Sequence, residues 1–279
     1  MTAIDNFPRA ALDPSRTTGL ILCGMGGPDR PEAVQPFLRN LFADPLIFPV
    51  PRLFAGIAGR LIAWKRAPEV RERYAMISAD SSTPQLPTTI KQAAYLAGKL
   101  GNADRSTLPG VAMRYWDPYP DTTVPELMGA GAEQFLIVPT YPQYSGATNG
   151  STIQFVIDTL DRVAAGAPVH VVADWNLLPG FIEALAWPVI TQLSQWADAE
   201  VDPGECALVY VAHSLPESFI RKGDPYLVRT QATVDAVHTK VTKVLGAAGN
   251  SDWLDQITGG TEPGLCFQSK VGPIAWLGP

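Results

Sequence analysis

The 279-residue chain has only three histidines: His170, His213 and His238. His213 closes the apolar run "CALVYVAH" (206–213) and is followed by Ser214-Leu215-Pro216. A neutral imidazole at such a point can accept a proton near pH 7 and can ligate a divalent metal. The alternative is a core histidine satisfied by a backbone carbonyl. No HxxxH or HExxH accompanies it, so the pattern does not support a tightly held protein metal site. No GxSxG elbow is present either, which removes the serine-hydrolase reading.

Other reactive side chains also follow apolar runs. Arg114 in "MRYWDPYP" can form bidentate hydrogen bonds to a carboxylate, or a salt bridge within its own domain. The loop "VPTYPQYSGATNGST" offers Tyr141 and Tyr144 as aromatic faces and Ser145, Thr148 and Ser151 as hydroxyls. "CGMGGPDRPEAV" combines a Gly-Gly-Pro turn with an Asp29…Glu32 capping-box pattern, and it is neither a GxGxxG nor a Walker loop. Near the end, "LCFQSKVGPIAWLGP" clusters Gln268, Ser269 and Lys270 and adds Trp276, a wall for an aromatic pocket or a core residue.

These groups must be positioned by the elements that precede them. Five apolar runs read as strands: 18–25, 110–115, 134–140, 168–174 and 206–213. Most lack polar alternation, as in strands covered on both faces. Helical patterns lie between them. "STIQFVIDTLDRVAAGAP" opens with a Ser151…Gln154 capping box, and "GDPYLVRTQATVDAVHTKV" opens with Asp224 as N-cap and Pro225 at the first helical position. The alternation predicts an α/β protein of two domains, 1–150 and 151–279, with parallel sheets and ligands bound beyond the strands' carboxyl ends. Segment 46–66 reads as an amphipathic helix. Leu53, Phe54, Ile57, Leu61 and Ile62 form its apolar face, and Arg52, Gly56, Gly59, Arg60 and Ala63 its small, basic one. It suits either ordinary packing or a membrane-interface lip.

Composition narrows the function classes. With 46% hydrophobic and 17% charged residues the chain can bury a core, and its net charge of −6 argues against broad nucleic-acid binding. Cys23, Cys206 and Cys266 are scattered, with no CxxC, which predicts free thiols in a reducing compartment and gives no basis for an iron–sulfur cluster. Without an apolar leader or a run of about 18 apolar residues, the expectation is a cytoplasmic protein.

Six segments taken in order resemble the ferrochelatase family. They are "MGGPDRPEAVQPFLRNLFADP", "KRAPEVRERYAMI", "MRYWDP", "YPQYSGATNGS", "AHSLPESFIRKGDPY" and "QSKVGPIAWLGP". The resemblance implies two Rossmann-like α/β domains with a porphyrin cleft between them. It also implies a lyase of haem biosynthesis that inserts Fe²⁺ into protoporphyrin IX or coproporphyrin. Ferrous iron is then a substrate, and no cofactor is required. By this resemblance His213 accepts pyrrole protons and guides the metal. Met25, Arg66, Tyr74, Thr83, Arg114, Tyr141 and Trp276 contact the porphyrin, and 46–66 becomes a lip at the inner face of a membrane.

Two departures accompany the resemblance. Thr83, in "SSTP", stands where a serine is usual, and it retains the hydroxyl. The chain also stops at Pro279, before the family's next strand and a helix whose glutamate pairs with the histidine. The missing segment makes a porphyrin-binding, catalytically impaired fragment one alternative; a related cobalt or nickel tetrapyrrole chelatase is another.

Overall fold

The structure, a computed structural model, describes residues 3–44, 52–78, 82–102, 106–258, 264–270 and 274–278. The opening of the 46–66 segment and the side chains of Arg52, Leu53 and Phe54 lie outside what is described, as do Ser81 and residues 271–273. The chain divides into two compact units, Met1–Pro142 with Gly146–Asp174, and Gln143–Ser145 with Trp175–Pro279. The pattern of the sequence puts the divide at 150/151.

In the first unit, β1 (Thr18–Gly24), β2 (Thr107–Met113), β3 (Gln134–Pro139) and β4 (Val169–Val171) form one parallel sheet in the order β2-β1-β3-β4. Helices α1 (Val34–Phe42), α2 (Arg52–Ile77) and α3 (Gln85–Leu100) separate β1 from β2. α4 (Pro120–Gly129) and α5 (Ser151–Val163) follow β2 and β3. All seven residues of β1 are buried, which explains a run without polar alternation. Leu20 and Leu22 pack with Val111 and Met113 of β2 and with Ala93 and Ala97 of α3. The fully buried Gln134 closes the strands' entry. It accepts from the Asp13 amide (2.8 Å) and donates to the Asp13 carbonyl (2.7 Å) and the Thr18 hydroxyl (2.9 Å).

The second unit contains α6 (Pro179–Asp198), β5 (Val209–His213), α7 (Glu217–Arg221), α8 (Tyr226–Ala247), α9 (Ser251–Thr258) and β6 (Gly264–Gln268). β5 and β6 pair in parallel, with His213 opposite Gln268. Ile182, Ala186, Ile190 and Leu193 of α6 bury against Val237, Val241 and Leu245 of α8 and Leu254 and Ile257 of α9. β6 is not among the five strands expected from sequence because only Leu265–Phe267 are apolar, too short a run to declare a strand.

Two expected capping boxes do not form. No side chain caps α5, because Ser151 Oγ is committed to Asp44 and Arg114, and Gln154 donates instead to Asp158. Asp29 likewise caps nothing and accepts from Arg30 and from the Trp116 indole. The third expected cap is displaced by one residue, and no side chain caps α8 from its N-cap position. Asp224 Oδ1 accepts from the Tyr226 amide at 3.0 Å, although α8 begins at Tyr226, so Pro225 occupies the cap position. Pro36 sits in the first turn of α1, where a missing N–H costs little. Among the described residues no helix is long and apolar enough to cross a membrane.

Candidate functional site

The carboxyl ends of β1, β2 and β3 bring four of the proposed residues together in the first unit. The chain leaves β1 through Met25, turns at Gly26 (φ 80°) and passes Gly27, whose absent side chain matters. A Cβ there would lie 2.6 Å from Thr83 Oγ1. Glycine therefore lets Thr83 close over the turn, where its amide also donates to the Pro28 carbonyl at 3.2 Å. Arg114 follows β2, and its amide donates to the Gly24 carbonyl (2.8 Å), while the Tyr115 amide donates to that of Met25 (2.9 Å). Tyr141 follows β3. Its phenol meets the Thr152 hydroxyl and the Met25 backbone, and burial pushes its pKa up, so it stays neutral.

The strongest electrostatic feature beside these residues is one the sequence does not advertise. Asp44, with 2% of its side chain exposed, places Oδ2 where three donors converge: Arg114 Nη2 (2.9 Å), the Tyr115 hydroxyl (2.7 Å) and the Ser151 hydroxyl (2.7 Å). Arg114 Nε in turn donates to Ser151 Oγ at 2.9 Å, which closes a ring. Burial, and then the Asp44 charge, push the Tyr115 phenol far up, so it stays a donor. Two of the Arg114 nitrogens are thus spent within the protein, as in the salt-bridge alternative. The guanidinium also stacks on Phe155 (4.7 Å) and Tyr115 (5.1 Å) and borders an open pocket with Asn40 and Tyr119.

Helix α2 is built inside out. Its small residues Gly59, Ala63 and Ala67 are buried, and a Cβ at Gly59 would lie 3.0–3.2 Å from the α1 backbone and its C-terminal end. Ile57, Leu61 and Trp64 face outward, with 63%, 63% and 71% exposed, beside exposed Arg60 and Lys65. Close packing of the small face leaves the large apolar side chains without protein to cover them in the described residues. Farther along, Arg66 stacks over Phe42 at 5.8 Å. Tyr74 packs on the same cluster as Met25, and burial raises its phenol pKa.

The second unit holds His213 and Trp276. His213 is exposed at the end of β5, and its Nδ1 lies 2.8 Å from the Ser214 carbonyl oxygen. A carbonyl can only accept, so Nδ1 carries the proton of the neutral ring and Nε2 keeps its lone pair. No hydrogen bond to Nε2 is made among the described residues. The Ser214 amide donates to Gln268 (2.7 Å), its hydroxyl donates to the Leu277 carbonyl (2.7 Å), and Pro216 bridges to Trp276. These bonds tie the two motifs, His-Ser-Leu-Pro and Trp-Leu-Gly-Pro, into one structure. The half-buried Trp276 keeps its indole nitrogen buried without a partner among the described residues. His213 opens onto a groove of roughly 410 Å³, lined also by Tyr210, Val211, Tyr226 and Val234. Among the described residues no group of three or more His, Cys, Asp or Glu could hold a metal ion.

The Asp44 network predicts a specific stability pattern. Asp44→Ala strands a mostly buried guanidinium and should cost about 3–5 kcal/mol, whereas the paired replacement Asp44→Leu with Arg114→Met should cost far less. Urea denaturation midpoints of the two variants check this.

Comparison with known proteins follows the same residues. The ferrochelatase family profile matches 17–279. The ferrochelatase of Hyphomonas neptunium is 33% identical over 270 residues, 95% of this chain and 68% of that protein. The ferrochelatase of Desulfotalea psychrophila is 36% identical over 263 residues, covering 94% and 74%. That of Geotalea daltonii is 36% identical over 266 residues, covering 95% and 75%. A match running from the first strand through the histidine motif to the Trp276 segment means that this chain belongs to the ferrochelatase family.

Proposed function

We propose that the protein inserts ferrous iron into a porphyrin, protoporphyrin IX or coproporphyrin, with His213 as proton acceptor and metal guide. The observation that carries this reading is the exposed imidazole whose Nδ1 proton is held by the Ser214 carbonyl, leaving Nε2 as an open base. Insertion breaks two pyrrole N–H bonds and forms iron–nitrogen bonds as two protons leave. Nε2 has one lone pair: it can ligate the incoming iron, which accepts imidazole, and once the iron has passed to the porphyrin nitrogens it can take those protons in turn and pass them to water. In this reading Met25, Thr83 and Tyr141 offer a neutral surface to the macrocycle, and Tyr74 and Trp276 offer aromatic faces. Arg66 meets a carboxylate, and Arg114 does so with the donor that the Asp44 ring leaves over.

Anaerobic iron insertion, followed by loss of porphyrin fluorescence with both porphyrins, tests the assignment. Replacing His213 by Ala should lower turnover by at least about 100-fold. Porphyrin affinity by Soret titration should be unchanged. Wild-type turnover in that variant would remove His213 from the mechanism.

The outward stripe on α2 supports a second part of the proposal, peripheral contact with the cytoplasmic face of a membrane, from which an apolar porphyrin can pass to the protein. Three large apolar side chains beside Arg60 and Lys65 match an interfacial helix. Changing Ile57, Leu61 and Trp64 together to Asn should weaken binding to phosphatidylethanolamine–phosphatidylglycerol vesicles by on the order of 100-fold or more. The melting temperature should hold, because these side chains are exposed.

A further inference from the structure

The His213 ring is held through the peptide that follows it, and both polar ends of that peptide are fastened. The His213 carbonyl accepts from the Tyr226 hydroxyl at 2.9 Å, and the Ser214 amide donates to Gln268 at 2.7 Å. The carbonyl that fixes the imidazole proton belongs to Ser214, the next unit along, whose hydroxyl is anchored on Leu277. An imidazole bonded to the carbonyl of its immediate neighbour keeps that contact only while the intervening peptide plane keeps its orientation. Tyr226 reaches that plane across 13 residues and is itself fixed: its amide is bonded to Asp224 Oδ1 (3.0 Å), and Asp224 Oδ2 accepts from Ser145 (2.9 Å). The Gly-Asp-Pro-Tyr turn therefore does more than start a helix.

We propose that Tyr226 is a positioning residue for His213. Through the 213–214 peptide it keeps the neutral ring protonated at Nδ1 and its Nε2 lone pair open. This rests on the catalytic reading of His213, and its test separates the two. Groups that orient a ligating or basic histidine from outside typically contribute about 10–100-fold to activity. Tyr226→Phe removes one oxygen from the Tyr226–His213 contact and should lower kcat for metal insertion by about 10-fold. The KM for porphyrin should stay unchanged.

The direct readout is the ¹⁵N spectrum of histidine-labelled protein at pH about 9, above the ordinary imidazole range. The wild type should show one protonated Nδ1 and one bare Nε2 for His213, and Tyr226→Phe should show the averaged shifts of two tautomers. Ser214→Ala, which frees the same peptide from Leu277, should move both readouts in the same direction and supplies the test if Tyr226→Phe fails to fold. Wild-type ¹⁵N shifts in a folded Tyr226→Phe protein would overturn the positioning role even where His213→Ala abolishes turnover. Full turnover of His213→Ala would instead overturn the catalytic reading, whatever the tautomer.

Discussion

A parallel strand with helices on both faces has no room for polar side chains along its length, so chemistry is displaced to its carboxyl end. β1 is the limiting case, with every residue from Thr18 to Gly24 buried. The backbone emerges at Met25, beside Arg114 after β2 and Tyr141 after β3, and the three meet through main-chain bonds at 2.8–2.9 Å and through the Tyr141 phenol. In the second unit the imidazole stands at the last residue of β5, although that strand is not buried: Val209 and Val211 are exposed like His213 itself. The side chains with chemical capacity are gathered where the sheets run out.

Charge inside the first unit is handled by closure. A carboxylate as buried as that of Asp44 is tolerable only when its charge is met by donors, and three of them converge on Oδ2, one a guanidinium. Asp44 also stands just past the end of α1, ahead of the residues that lead into α2. One carboxylate thus ties the end of α1 to the end of β2 and the start of α5. Helix α2 follows a different logic. Gly59 and Ala63 face inward because only small residues allow so close an approach to α1, and Ile57, Leu61 and Trp64 are left outside.

The legible parts of this molecule are those written in local pattern. Apolar runs mark the first five strands, and the place of His213 at the end of one of them singles it out from sequence alone. The turn at Asp224-Pro225 that precedes α8 is equally local, although the helix begins one residue later than the pattern puts it. What escapes a sequence reading depends on partners far apart in the chain. Ser151 and Asp44 are 107 positions apart, so nothing near Ser151 reveals that its hydroxyl is taken and that its expected capping box cannot form. The two faces read from the pattern of α2 are not the ones that form. Ile62 packs inward on the same cluster as Ala63, while Gly56 and Arg60 are exposed beside Ile57 and Leu61, because the packing face depends on the shape of α1. Tyr226 is legible as part of a helix start, yet its bond to the His213 carbonyl exists only once the intervening turn has folded back.

The proposed chemistry turns on one atom, His213 Nε2, being the open base and metal ligand. The most direct measurement is the ¹⁵N spectrum of histidine-labelled protein during titration with Zn²⁺ as a diamagnetic substitute for ferrous iron. The Nε2 resonance of His213 should shift as metal is added while Nδ1 stays protonated on the Ser214 carbonyl. Coordination through Nδ1, or no change at His213 while metal is inserted into porphyrin, would contradict this assignment.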